Sequence, residues 1–173
     1  SGTGASAGTA AAGYLVSPSV NDAFTIANRV LKAKGDVFRT GAPVTADGTV
    51  YPAGSFYVAA SATTTPIVQA AAKDLGVNVH ATSAGAGPNA TKLTDKRIAL
   101  WDSQTGSMPS GWTRFMLERF EFPFEVVFPP ALDAGNLKAK YDVLVFVDGA
   151  IPARDAGGAG NRGGGAPENL PAE

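Results

Sequence analysis

The residues best suited to chemistry sit in one stretch, Arg97 to Arg114, RIALWDSQTGSMPSGWTR. Ile98 to Trp101 reads as a buried strand. Asp102-Ser103-Gln104-Thr105-Gly106-Ser107 then supplies a carboxylate, three hydroxyls and a glycine before an amphipathic helix that Ser110 is suited to cap. In open α/β sheets ligands bind beyond the carboxyl ends of the strands. Free backbone N–H groups and hydroxyls ahead of a helix suit an anion there. Asp148, before Gly149 and after the apolar run Val143 to Val147, belongs at the same edge, where an aspartate could serve as a metal ligand or a base. The candidate ligand-binding set is therefore Asp102, Ser103, Thr105, Gly106, Ser107, Ser110 and Asp148. The plain alternative for both groups is a polar turn that holds no ligand.

Other chemistries lack their residues. His80 is the single histidine and there is no cysteine, which excludes a multi-histidine metal site, Cys-ligated zinc and a Cys nucleophile from this sequence. No His-x-x-Glu pair occurs, and the Gly-x-Ser-x-Gly spacing at Gly4 to Gly8 falls in the small-residue start, with no apolar strand run before it to make a nucleophile elbow. No catalytic residue, metal ligand or cofactor site is therefore assigned. Hydrophobic residues make up 45% of the 173 and charged residues 17%, a globular composition. Net charge is −1 with no basic patch, so no nucleic-acid partner is expected. No apolar run approaches the roughly 20 residues of a membrane span.

The elements that would position the loop emerge from periodicity. Tyr14 to Val16 reads as a strand. Ala23, Phe24, Ala27, Val30 and Leu31 keep helical spacing, entered at Ser19 and closed by Gly35. Val37-Phe38 is a strand, and Asp47-Gly48 between apolar residues predicts a hairpin. Phe56 to Val58 is a strand, and Thr65-Pro66 opens a helix that Gly76 ends. After the linker, Trp112, Phe115, Met116 and Phe120 share one helical face, for which core packing is the main expectation and a docking face the other. Phe124 to Phe128 and Val143 to Val147 are further strands, and Asp133 to Lys138 is a short helix. Strands alternating with helices predict a parallel α/β sheet. The domains read as a flexible linker at 1–12, a small α/β unit at 13–80, a linker at 81–94, the first part of a flavodoxin-like domain at 95–151 and a Gly/Pro-rich tail at 152–173.

Two resemblances extend this reading. Ser103 to Ser107 is similar to the phosphate loop of flavodoxins, in which a Ser/Thr-x-Thr-Gly-x-Thr pattern grips the flavin phosphate. It departs from that pattern after the glycine, where Ser107-Met108-Pro109 delays the helix. A small-ligand, phosphate or flavin module using loop 102–110 is the alternative that this implies. The wider resemblance rests on two blocks. The first is Gly13 to Val16 with Asn21 to Phe24, Asn28 to Leu31 and Tyr51 to Tyr57. The second is Gly106 to Arg114 with Phe120 to Phe124 and Leu132 to Leu137. Over residues 13–152 the chain resembles the region downstream of the catalytic domain in bacterial zinc carboxypeptidases of the carboxypeptidase A type, which contains a class I glutamine amidotransferase-like, flavodoxin-like domain. That resemblance implies a non-catalytic accessory role in a periplasmic or secreted metallopeptidase. Zinc would sit only in an upstream catalytic domain of the parent. The partners would be that domain or another chain of the same protein, with a peptide as substrate. No catalytic residue transfers, because the zinc ligands and catalytic glutamate of the family lie outside this stretch.

Overall fold

A computed structural model describes residues 11–151. The predicted linker before residue 11 and the tail from 152 lie outside the described residues. The chain is mixed α/β, as expected, but the two halves solve the packing problem differently.

In the first half the elements run β1 (Gly13–Val16), α1 (Asp22–Lys32), β2 (Val37–Arg39), β3 (Val44–Ala46), β4 (Thr49–Tyr51), β5 (Phe56–Ala59), α2 (Thr64–Leu75), β6 (Val79–Thr82) and β7 (Thr91–Lys92). Five of these strands form one sheet in the order β6-β1-β5-β2-β7, and every pairing is antiparallel. This corrects the parallel sheet expected from alternating strands and helices. The crossover β1-α1-β2 does join strands that run the same way, but β5 is inserted between them. The crossover β5-α2-β6 is likewise split by β1. Two interleaved split βαβ units give the β-α-β-β-α-β plan of a ferredoxin-like sheet, with β3–β4 inserted between β2 and β5. The predicted linker at 81–94 is also corrected in part. Its ends complete β6 and supply β7, which pairs with β2 through Phe38 and Arg39.

Strand alternation sends side chains to two faces. Tyr14, Val16, Phe56 and Val58 face α1 and α2, where Ala23, Ile26, Ala27, Val30, Val68 and Ala71 complete the main core. Leu15 and Tyr57 point the other way, and hairpin β3–β4 covers them with Ala46 and Tyr51. Asp47 (φ 48°) and Gly48 (φ 73°) make the predicted tight turn of that hairpin, with both residues left-handed. Helix α1 begins at Asp22 with Asn21 in the cap position, whose side chain makes no cap bond, so Ser19 is not the cap. Gly76 ends α2 in the left-handed conformation, as expected.

The second half holds β8 (Ile98–Trp101), α3 (Met108–Arg119), β9 (Phe124–Val127), α4 (Pro129–Asp133), α5 (Leu137–Lys140) and β10 (Val143–Val145). Its three strands form a parallel sheet in the order β10-β8-β9. Ala99 and Leu100 of the central strand are fully buried. The predicted helix at 133–138 is two short turns instead, separated where Gly135 and Asn136 both adopt positive φ. The halves meet through α1. Arg29 clamps Glu121 with Nε and Nη2 at 2.8–3.1 Å, Asn28 donates to the Phe120 carbonyl at 2.8 Å, and the rings of Phe24 and Phe122 lie 6.2 Å apart.

Candidate functional site

The parallel sheet places its two sequence candidates at one edge. Because β8 and β10 are parallel neighbours, the loop after Trp101 and the turn at Asp148-Gly149 both leave from their carboxyl ends. In a sheet of this order that is the place where connections diverge to opposite sides of the first strand.

Within the loop, the polar groups are largely committed to one another. Asp102 Oδ1 accepts from Ser103 N at 2.8 Å, Ser103 Oγ donates to the Gly106 carbonyl at 2.8 Å, and Gly106 N donates to the Ser103 carbonyl at 2.9 Å. Gly106 sits at φ 80°, a conformation that a side chain resists. Thr105 is exposed, and its hydroxyl lies 3.5 Å from that of Ser103. Ser107, and not Ser110, caps α3: its Oγ accepts from Ser110 N at 3.2 Å, with Pro109 filling an early helical position. Ser110 is buried, and its Oγ has no hydrogen-bond partner among the described residues. Asp148 is exposed in a turn closed by Ala150 N on the Val147 carbonyl at 3.0 Å.

The loop therefore satisfies itself, and no Lys or Arg occurs between Trp101 and Gly111 to balance an anion. Asp102 and Asp148 add negative charge at the same edge. Both features weigh against phosphate or flavin. Among the described residues no group of three or more His, Cys, Asp or Glu side chains is placed to hold a metal ion, and no helix is long and apolar enough to cross a membrane.

Helix α3, immediately beyond the loop, is more distinctive. Met108, Trp112, Phe115 and Met116 are 76%, 65%, 55% and 48% exposed. Their spacing of 4, 7 and 8 residues from Met108 puts them on one side of α3, where Trp112 and Phe115 pack edge to face at 6.3 Å. Phe128, Val143 and Phe146 of the same half are also exposed. The sequence marks this stripe as apolar. That it faces outward and does not form core is decided only by the position of α3, in which Ser110 is the one buried residue.

Two further constellations escape sequence reading. Arg97 and Asp142 form a forked ion pair at the base of β8, with Arg97 N, Nε and Nη2 all donating to the carboxylate at 2.8–3.2 Å. Those bonds hold the Asp142 carboxyl well below the usual carboxylate range. His80, the single histidine, is joined to Tyr51 by an Oη–Nδ1 bond of 2.6 Å. The only sequence hint is the Asp-Gly turn, which folds Tyr51 back over the sheet. No protein-family model matches the chain, and neither the curated proteins nor the solved structures compared with it give a match.

Proposed function

We propose that the chain is a non-catalytic accessory and interaction region of a bacterial zinc carboxypeptidase-like protein, in which α3 docks a neighbouring domain or chain of the same protein. The observation that carries the interaction role is the outward stripe Met108-Trp112-Phe115-Met116. A contiguous exposed apolar patch on a folded chain marks a surface that another body covers. Trp and aromatic neighbours are also the side chains that dominate contact energies.

The choice of parent rests on the family resemblance of residues 13–152. The strand order β10-β8-β9 supports it, since a flavodoxin-like sheet begins in that order. In this reading zinc, its ligands and peptide hydrolysis belong to an upstream domain of a periplasmic or secreted parent. The test uses the full reading frame that encodes this chain. A His-x-x-Glu peptidase domain is expected in it, and a frame without one refutes the parent. Photo-crosslinking from a probe amino acid at position 112 should capture that domain, and replacing Phe115 and Met116 by Ser should abolish the product. Zinc-dependent release of C-terminal residues by the chain alone would refute the accessory role.

A further inference from the structure

A cavity of about 320 Å³ opens where hairpin β3–β4 meets the loop before α1 and the turn after α2. Its polar lining comes from Ser17, Ser19, Thr49, Asn78 and His80, and its apolar rim from Val20 and Val50. These two valines are 44% and 65% exposed. Tyr51 anchors the inner wall and is 4% exposed.

The polar groups are arranged with free donors. Burial, and then the nearby Asp47 carboxylate, push the Tyr51 phenol above its ordinary pKa, so it keeps its proton. Among the described residues that hydroxyl has no acceptor except His80 Nδ1, at 2.6 Å. The other ring nitrogen of His80, Nε2, has no protein partner among the described residues and is left for a ligand. Ser17 and Ser19 hydroxyls lie 2.7 Å apart, so one donates to the other and the second retains a free proton.

No Lys, Arg, Asp or Glu lines the cavity. A charged ligand would lose water there without gaining a counter-charge, a costly exchange. A neutral molecule with both hydroxyls and apolar C–H faces meets no such penalty. It would find donors and acceptors on one side and Val20 and Val50 on the other. The volume is at the small end of ligand sites, which run from about 300 to 1,000 Å³. We propose that this cleft binds an uncharged saccharide, one sugar ring in size, through Ser17, Ser19, Asn78 and His80. This site is on the opposite unit from α3 and stands independently of the docking role.

The experiment is a titration of the ¹⁵N-labelled full chain, followed by amide shifts, with methyl glucoside, N-acetylglucosamine, acetate and inorganic phosphate as probes. Saturable shifts at Ser17, Ser19, Val50, Asn78 and His80 are expected with at least one sugar, with a dissociation constant on the order of 1 mM. The Ser17→Ala/Ser19→Ala variant, altered only at the cavity mouth, should weaken that sugar at least about tenfold, a difference such hydrogen bonds support, while its Tm stays unchanged. The proposal is overturned if neither sugar shifts these amides, if the anions shift them instead, or if the double variant binds as the parent does.

Discussion

Gly13 occupies a place that only glycine fits, and its replacement tests the register of the antiparallel sheet. Gly13 pairs with Ala59 on one side and Thr82 on the other, and the Tyr57 ring lies diagonally across it. A Cβ built on Gly13 falls 2.3 Å from Tyr57 Cζ and 2.5 Å from its Oη, well inside contact distance. The ring cannot swing away freely. Tyr57 is 5% exposed under the hairpin, and its hydroxyl donates to the Ala12 carbonyl at 2.9 Å. Gly13→Ala must therefore displace the ring. Overpacking of this kind costs about 1–3 kcal/mol, and loss of the Tyr57 hydrogen bond adds about 0.5–1.5 kcal/mol. Removing a glycine from a strand returns about 0.5–1 kcal/mol. The net expectation is a loss of about 2 kcal/mol, which for a chain of this length lowers Tm by roughly 4–8 °C. Urea unfolding followed by fluorescence gives the value directly. The decisive measurement is the same substitution in a Tyr57→Leu background, where the clashing ring end is gone and the cost should fall below about 1 kcal/mol. A neutral Gly13→Ala, or an equal cost in both backgrounds, would refute the packing described.

Further expectations concern other parts of the chain. Replacing Trp112, Phe115 and Met116 together by Ser should leave urea stability within about 1.5 kcal/mol, since each exposed substitution changes it by up to about 0.5 kcal/mol; a collapse of the fold would show that these side chains are core. A double-mutant cycle on Arg29 and Glu121, a partly exposed forked pair, should return a coupling of about 0.2–1 kcal/mol, and zero coupling would deny that α1 is clamped to the turn after α3. Asp142 has its folded pKa depressed by Arg97, so its contribution is present above the unfolded value of about 3.9 and is lost as pH falls below it; Asp142→Asn should flatten the acid limb of a stability–pH curve. Tyr51 and Tyr57 have raised folded pKa values through burial. The stability they confer is full below the unfolded value of about 10 and is lost as pH rises through the folded values, so Tyr51→Phe should blunt alkaline unfolding monitored by circular dichroism.

Local features of the fold were legible from local signals. The Asp47-Gly48 turn, the spacing of Ala23, Ala27 and Val30 and the terminal Gly76 are each decided by a few neighbouring residues, and each is where the sequence puts it. Adjacency was not legible. Periodicity marks β1, β2 and β5 as strands but carries no information that β5 slips between the other two, because that choice is made by burial of Phe56 and Val58 under both helices. The stretch at 81–94 is rich in Gly, Ser and Thr and reads as linker. Thr91 and Lys92 become a strand only because β2 leaves an open edge. In the candidate loop, the strand, the turn and the succeeding helix were legible. The sequence offers Ser110 as the cap where Ser107 caps, because both are serines ahead of the same apolar stripe and only backbone conformation separates them: Ser107 is extended (φ −133°, ψ 142°). The Tyr51–His80 pair lies 29 positions apart in the chain, beyond any local pattern.

The interleaving of β1 between β5 and β6 also sets an order of events. Leu15 lies opposite Tyr57 on one side and His80 on the other, so this interior strand is made before both its partners and acquires the second after nearly the whole unit has been synthesised. Until β6 appears, β1 has an unpaired edge and an apolar run, Tyr14-Leu15-Val16, open to competing chains. Contacts so distant in sequence slow folding, because a long loop must close before any pairing compensates for it. During synthesis the unit therefore gains its cooperativity late and all at once, and a break anywhere between Val16 and Val79 should leave two pieces that neither fold alone nor hold a half-sheet.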